Sequence, residues 1–203
     1  MARKPRVLQD GATYHVMCQV NRRKHDLKED IFKDAYLDLV EIAEVKFNCK
    51  FRNFCIMDNH VHLEIFPEEN NLSRIMQWIQ GMFTRTYNKI TGECGRLWRG
   101  RFKSRIITDK KYEVTLFEYI SFNPSRVNPA IKPAEYKYSG IYCIIRKDFR
   151  IIEKPDPERL ALVEEIYRRS EDPVYFEEKL KMNQEIGFYP GRPGRKPGNK
   201  KAA

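Results

Sequence analysis

The spacing of apolar residues along the first fifty positions predicts a strand followed by a helix. In the segment 13–20, apolar residues alternate with polar ones and therefore share one face of an extended chain. Between residues 30 and 47 the apolar residues recur at helical spacing, and Asp30 is placed to cap the N-terminus of that helix. A first strand and a first helix are expected in that order.

Two short apolar runs, residues 51–57 and 60–66, follow the first helix. The turn dipeptide Asp58-Asn59 separates them, which predicts that they pair as a β-hairpin. Apolar residues then recur every three or four positions between residues 72 and 90. This spacing predicts a second amphipathic helix.

A fourth strand is predicted over residues 101–108, and a third helix over about residues 110–123, with Asp109 as its cap and Pro124 at its end. The order strand, helix, strand, strand, helix, strand predicts an α+β protein with a ferredoxin-like (RRM-like) antiparallel sheet. Both crossover helices would cover one face of this sheet and leave the other face open.

The C-terminal third has a different composition. Residues 136–145 are expected to form a loop and a further short strand, and two helices are predicted over about 158–170 and 174–185. Residues 187–203 are too rich in Gly and Pro to fold alone. We therefore expect a core domain over residues 1–150, a helical extension over 151–186 and a flexible basic tail over 187–203.

The chain has 203 residues, of which 41% are hydrophobic, so one domain with a substantial core is expected. No apolar run approaches the roughly 18 residues of a membrane span, and the basic N-terminus leads into no apolar segment. A cytoplasmic protein is therefore expected. The five cysteines show no Cys-x-x-Cys spacing and are interpreted as reduced thiols.

Positive charge is concentrated in three blocks of this chain, whose formal net charge is +10. The central block, residues 85–111, carries +7 and includes Tyr87, Trp98 and Phe102. Cations that neutralise phosphates, interleaved with rings that stack on bases, favour binding to a nucleic acid. The alternative is a solvated basic face with Trp98 in the core.

The candidate DNA-binding residues of this block are Arg96, Trp98, Arg99, Arg101, Lys103 and Arg105. A second candidate set lies in the C-terminal tail and comprises Arg192, Arg195 and Lys196. The Gly-Arg-Pro pattern of this tail resembles an AT-hook, a flexible basic strand that enters a narrow minor groove. A disordered solubilising tail is the equally weighted alternative.

His60 and His62 are the sharpest local feature of the sequence. Alternate residues of a strand project from the same face, so both imidazoles would point one way and could supply two ligands of an open metal site. Glu64 shares that face and is a possible third ligand. For an isolated His-x-His motif, a pair of hydrogen-bonded surface histidines is the commoner explanation.

Four segments, taken together and in order, resemble a known family over roughly residues 5–145: YHVMCQVNRR, FCIMDNHVHLEI, LWRGRFKSRII and EYISFNPSR. They resemble the single-tyrosine HUH transposases and are most similar to the REP-associated, IS200-like tyrosine transposases. The resemblance implies a ferredoxin-like core that cuts and rejoins single-stranded DNA beside a hairpin through a covalent 5′-phosphotyrosine. It also implies a monomer or homodimer associated with the bacterial nucleoid.

The resemblance assigns roles to individual residues. Tyr119 matches the family's nucleophile, His60 and His62 match its HUH histidines, and Asn123 matches the polar residue that completes a site for a divalent metal, Mg²⁺ or Mn²⁺. Tyr119 and Asn123 are four residues apart and would share one face of the predicted third helix. His15 matches a position that is often histidine and is interpreted as structural.

The sequence departs from the family pattern after the tyrosine, where it has Ser121 in place of a frequent histidine and NPSRVN in place of NPVRAG. Two alternative functions stay open. One is a binding module or repressor that grips hairpin or single-stranded nucleic acid without chemistry, and the other is a metal hydrolase that uses water. The sequence has no GxxxxGK[ST] loop, so no nucleotide cofactor is expected.

Overall fold

A computed structural model of the chain describes residue 6 and residues 8–181. Its centre is a four-stranded antiparallel sheet with the strand order β2-β3-β1-β4. The strands are β1 (Tyr14–Gln19), β2 (Cys49–Ile56), β3 (His60–Pro67) and β4 (Lys103–Ile106). This order of strands and crossover helices confirms the predicted ferredoxin-like class.

Strand β4 is shorter than the predicted span of residues 101–108. It pairs with β1 from Tyr14 to Met17. Beyond Met17 the edge of β1 is occupied by the preceding loop, where the Arg99 amide donates to the carbonyl of Gln19 at 2.8 Å. The loop therefore takes the place of the first part of the predicted strand.

Two long helices, α1 (Asp30–Phe47) and α2 (Leu72–Thr91), pack on one face of the sheet. Each ends beside a residue with a left-handed backbone, Asn48 at φ 47° and Gly92 at φ 72°, a conformation that commonly terminates helices. The fully buried core between these helices and the sheet includes Tyr14, Val16, Tyr36, Phe54, Leu63 and Phe83.

The opposite face of the sheet is covered in part by a third helix, α3 (Lys110–Ser121). Cys55 and Met57 project from this face and pack against Leu116 and Ile120 of the helix. The prediction of an open face is therefore wrong for the half of the sheet that contains β2 and β3. The reason is the burial of apolar side chains that point away from the main core.

Helix α3 ends two residues before its predicted end, and a short helix, α4 (Asn123–Val127), follows it. Pro124 has no N–H and cannot continue the hydrogen-bond ladder of α3. The carbonyl of Tyr119 accepts hydrogen bonds from Asn123 Nδ2 and Arg126 Nη1, both at 2.8 Å. These two side chains cap the last turn of α3.

Residues 136–145 correct a second expectation. The predicted short strand is replaced by a helix, α5 (Gly140–Ile145), and its strand-like pairing is limited to one bridge between Ser139 and Cys55. Gly140 lies so close to β2 that a Cβ atom would come within 2.3 Å of Asn53 Oδ1. The chain touches the sheet at this glycine and then turns away as a helix that buries Ile141 and Ile144.

The predicted helical extension is present as α6 (Pro157–Arg169) and α7 (Pro173–Lys181). The predicted tail over residues 187–203, and the predicted end of the second helix, lie outside the described residues. No helix in the described part of the chain is long and apolar enough to cross a membrane. All five cysteines are free thiols, as expected.

Candidate active site

The two histidines of the His-x-His motif lie on the sheet face that α3 partly covers. In the strand register, His62 is opposite Met17 on one side and Cys55 on the other, and His60 is opposite Gln19. The residue between the histidines, Val61, is fully buried in the core on the other face. The predicted common orientation of the two imidazoles is confirmed, and their ring centroids are 5.0 Å apart.

His15 joins this pair from β1. Its Nε2 atom is 2.9 Å from Nδ1 of His62, the two rings are stacked, and the His15 side chain is fully buried. This bond fixes the orientation of the His62 ring and leaves Nε2 of His62 as the nitrogen that could bind a ligand. From the sequence, His15 is interpreted as structural, although alternation along β1 already places its side chain on the other face of the sheet from the core residues Tyr14 and Val16.

His60 has a different pair of neighbours. Its Nδ1 atom is 2.6 Å from the side-chain oxygen of Asn59, and a hydrogen bond joins its ring to the side chain of Asn123. The side-chain amide nitrogen of Asn123 donates a hydrogen bond to the Tyr119 carbonyl. The amide oxygen of Asn123 is therefore the atom available to His60 or to a cation.

The histidine cluster is uncharged at neutral pH. Burial lowers the pKa of His15 to about 3 and that of His60 to about 4. The pKa of His62 is also well below its ordinary value, first because of burial and then because of the neighbouring His60 and His15. Neutral imidazoles have a free nitrogen lone pair, which is the form that binds metals.

Tyr119 of α3 lies against this cluster. Its ring centroid is 5.6 Å from that of His62 and 6.4 Å from that of His15, both in edge-on arrangements. Burial raises the pKa of Tyr119 above its ordinary value, and the nearby Arg126 offsets part of this rise. The structure therefore brings together Tyr119, His60, His62 and Asn123, as the resemblance implied.

Glu64, the possible alternative ligand, is engaged elsewhere. Its carboxylate is fully buried and accepts two hydrogen bonds from the Arg159 guanidinium, at 2.8 and 3.2 Å. Arg159 also contacts Glu113 of α3. This arrangement favours Asn123 over Glu64 as the third candidate ligand.

A site made of two neutral imidazoles and one amide oxygen fits a divalent ion such as Mn²⁺ or Mg²⁺ in its donor chemistry. Among the described residues, no group of three or more His, Cys, Asp or Glu side chains could hold a metal ion. A metal at this position would therefore depend on Asn123 and on ligands from outside the described residues.

The loop that joins α2 to β4, residues 92–102, is called the basic loop here. It contacts β1, the strand next to that of His60. Besides its backbone bond, Arg99 donates through Nη1 to the Gln19 side chain at 3.1 Å, and Gln19 is the partner of His60 in the sheet. The loop and the polar side of α2 enclose a groove of about 980 Å³, whose lining includes Arg96, Arg99 and Arg101. All three arginines are exposed, and in the part of the chain that is described none is ion-paired.

The remaining candidates of the basic block fall into two groups. Lys103 and Arg105 lie on β4, opposite Met17 and His15, and therefore share the sheet face of the histidines. The three rings predicted to stack on bases are buried in this structure. Trp98 is only 8% exposed and donates its Nε1–H to the carbonyl of Gln80, and Tyr87 and Phe102 are also buried.

The alternative interpretation of Trp98, as a core residue, is thus correct. The tail candidates Arg192, Arg195 and Lys196 lie outside the described residues, so their role stays a prediction.

A family model described as transposase IS200-like matches residues 9–123, which is more than half of the chain. The chain belongs to the IS200-like transposase family. No curated protein matches it. The matched segment includes His60, His62 and Tyr119 and ends at Asn123, so the match covers these four candidate residues but not the helical extension. Membership makes the chain a transposase-type, DNA-processing protein.

Two solved structures are similar to this transposase. The first is a REP-associated tyrosine transposase bound to a REP hairpin, with a TM-score of 0.59, 17% identity, and coverage of 77% of this chain and 93% of that one. The second is a candidate transposase from Deinococcus radiodurans, with a TM-score of 0.41, 16% identity, and coverage of 59% and 95%. The first likeness supports the ferredoxin-like fold, and the second is too weak to carry an argument.

The neutral histidine cluster predicts a loss of stability in mild acid. His15 and His60 have folded pKa values of about 3 and 4, below the roughly 6.5 of an unfolded histidine. The unfolded chain therefore binds more protons as the pH falls below that value. Between pH 6.5 and 5, the free energy of unfolding should fall by up to about 1.4 kcal/mol per pH unit for each imidazole.

Urea unfolding at several pH values, with a chelator present, measures this slope. A His15→Gln variant should have a slope that is smaller by the contribution of one imidazole. Stability that does not change between pH 6.5 and 5 would show that the cluster is not held in its neutral form.

Proposed function

We propose that this transposase cleaves and rejoins single-stranded DNA beside a hairpin through a covalent 5′-phosphotyrosine at Tyr119, with a divalent metal ion. The observation that carries the proposal is the position of Tyr119, whose ring lies 5.6 Å from that of His62 on the face of the neutral histidine cluster. Among the described residues, Tyr119 is the tyrosine in ring contact with these histidines.

The proposed step is a transesterification. The Tyr119 hydroxyl oxygen attacks the scissile phosphorus, the new O–P bond forms, and the bond from phosphorus to the 3′-oxygen breaks. The phenol proton leaves to solvent, and the departing 3′-oxygen takes up a proton. Rejoining is the reverse attack by a 3′-hydroxyl, so the energy of the phosphodiester bond is conserved without a nucleotide cofactor.

The chain's own residues prepare this step. Asn123 and Arg126 hold the carbonyl of Tyr119 and thereby fix the end of the helix that carries the nucleophile. His15 and Asn59 fix the rings of His62 and His60. A divalent ion held by His60, His62 and Asn123 would supply stabilisation of negative charge on the phosphate.

The basic loop is the proposed path for the DNA. The similar REP-associated tyrosine transposase is bound to a REP hairpin, which supports hairpin DNA as the partner here. Arg99 contacts Gln19 beside His60 and also lines the groove, together with Arg96 and Arg101. A strand that leaves the site through this groove would have its phosphates neutralised by exposed arginines.

The Tyr119→Phe variant tests the enzymatic function directly. It removes one oxygen and keeps the ring packing, so it should abolish the covalent adduct with hairpin oligonucleotides, a loss of about a thousandfold or more, with unchanged DNA affinity. Tyr112→Phe is the matched control, because Tyr112 lies on the same helix but stacks under Arg105 and not against the histidines. Denaturing gels measure the adduct.

Peptide mapping of the trapped adduct identifies the attacking residue. A nucleotide on any tyrosine other than Tyr119 would overturn the residue assignment. DNA binding without an adduct, under every metal and substrate, would favour a non-catalytic binding module or repressor. Metal-dependent cutting without an adduct would favour a hydrolase.

The metal assignment predicts a separation of binding from cleavage. His60→Ala and His62→Ala should bind hairpin DNA nearly as the wild type does, yet fail to cleave it. His25→Ala is the control, since His25 is an exposed histidine whose partner, at 3.7 Å, is Asp58. Because imidazole ligands are softer than oxygen, Mn²⁺ should support cleavage at least as well as Mg²⁺. Full cleavage by both site variants would refute the metal site.

The groove and the adjoining strand β4 together predict the salt dependence of binding. Replacing Arg99, Arg101 and Lys103 together by glutamine should weaken binding and reduce the slope of log affinity against log salt by about two to three. Fluorescence anisotropy over a series of salt concentrations measures this slope. The same number of replacements at Arg146, Lys147 and Arg150, outside the groove and β4, is the control for net charge. An unchanged slope would place the DNA on another surface.

A further inference from the structure

Arg126 is a half-buried cation of the site, and no carboxylate of the described residues balances its charge. It lies three residues after Asn123, and its guanidinium carbon is 4.7 Å from the centre of the Tyr119 ring. Nη1 donates to the Tyr119 carbonyl at 2.8 Å, and Nη2 donates to the carbonyl of Lys179 at 3.1 Å. Nε is buried with no hydrogen-bond partner in the described part of the chain.

The contrast with Arg159 shows that this arrangement is unusual. Arg159 is more deeply buried than Arg126, but its charge is balanced by Glu64 and Glu113. Among the described residues, no ion pair involves Arg126, which bonds only to two carbonyl groups. A cation that is partly removed from water without a balancing charge is costly, so the position of Arg126 under the nucleophile calls for a role other than stability.

The planar guanidinium of Arg126 is suited to fixing the position of the Tyr119 ring. A guanidinium is planar and can stack on an aromatic face, and its two terminal nitrogens, Nη1 and Nη2, form a rigid fork of hydrogen-bond donors. A lysine ammonium has neither property. In this structure the fork spans two elements, because one branch reaches the nucleophile on α3 and the other reaches Lys179 on α7. Lys179 also pairs with Glu118, the residue before Tyr119, at 2.5 Å.

We infer that Arg126 is the positioning residue of the nucleophile, and that α7 of the C-terminal extension serves the active site by holding Arg126 in place under Tyr119. The inference rests on the proposed function, since it assigns Tyr119 as the nucleophile. It gives a role to α7, which lies outside the segment matched by the family model. Without the fork, the Tyr119 ring would leave its attacking position.

The test compares Arg126→Gln and Arg126→Lys in the full chain, with Arg169→Gln as the matched control. Arg169 also stacks on a tyrosine, with its guanidinium carbon 4.1 Å from the ring centre of Tyr175, and its loss changes the net charge equally. The readouts are the single-turnover rate of adduct formation at saturating hairpin DNA, the affinity for that DNA, and the melting temperature.

Both Arg126 variants should slow adduct formation by about 10- to 100-fold. Their DNA affinity and melting temperature should equal those of the Arg169 control. A wild-type rate for Arg126→Lys would overturn the inference, because the charge alone would then suffice. A loss explained entirely by weaker DNA binding or by unfolding would also overturn it. If Arg126→Gln does not fold, Arg126→Lys decides the question by the same criteria.

A spectroscopic readout separates this inference from the proposed function. In protein labelled with 3-fluorotyrosine, the ¹⁹F signal of Tyr119 is identified as the one that is lost in Tyr119→Phe. Both Arg126 variants should shift or broaden this signal and leave that of Tyr112 unchanged. An unaltered Tyr119 signal would refute the positioning role even in an active enzyme. If the wild type forms no adduct but the signal responds, the proposed function fails and the contact between Arg126 and Tyr119 stands.

Discussion

The packing of α3 against the second face of the sheet is the constraint on which the rest of the site depends. Cys55 and Met57 point to that face, and their contact with Leu116 and Ile120 fixes the position of the helix. The same contact brings Tyr119 to the histidines and removes water from His15 and His62. One apolar contact thus places the candidate nucleophile and also keeps the imidazoles in their neutral form.

Covering this face also creates a cost, because Glu64 becomes a buried carboxylate in the middle of the sheet. Arg159 from α6 supplies the compensating charge and at the same time contacts Glu113 on α3. Buried ion pairs contribute little net stability, but the loss of one partner is strongly destabilising. The Arg159 ion pairs therefore hold the extension to the sheet and to the helix of Tyr119, and removing Arg159 would destabilise both contacts.

Some residues of the candidate site could be predicted from the sequence and others could not. The common face of His60 and His62 follows from strand alternation alone, while the roles of Tyr119 and Asn123 rest on the resemblance, since this chain has ten other tyrosines. Arg126 and Arg159 could not be identified, because their partners lie 53 and 95 residues away, at Lys179 and Glu64, and no local pattern records such contacts.

Two other errors have local causes. Trp98 lies among cations in the sequence, yet it is drawn into the core beside Tyr36 and Phe83. Residues 140–145 have the composition of a strand, but the close approach of Gly140 to β2 leaves no room for a paired strand with side chains. In both cases tertiary packing overrides what the neighbours in the sequence suggest.

The distribution of charge decides how the site could receive a phosphate. The carboxylates around it are all paired: Glu64 and Glu113 with Arg159, Glu118 with Lys179, and Asp58 with Lys33. The histidines between them are neutral, so the pocket itself contributes almost no repulsion toward an anion. Arg96, Arg99 and Arg101 on the nearby basic loop are exposed and form no ion pair within the described residues. These arginines, which lie outside the pocket, therefore supply the attraction for the DNA phosphates. A DNA strand would thus be drawn in by the loop and meet a pocket in which the Arg126 guanidinium lies 4.7 Å from the centre of the Tyr119 ring and, within the described chain, has no carboxylate partner.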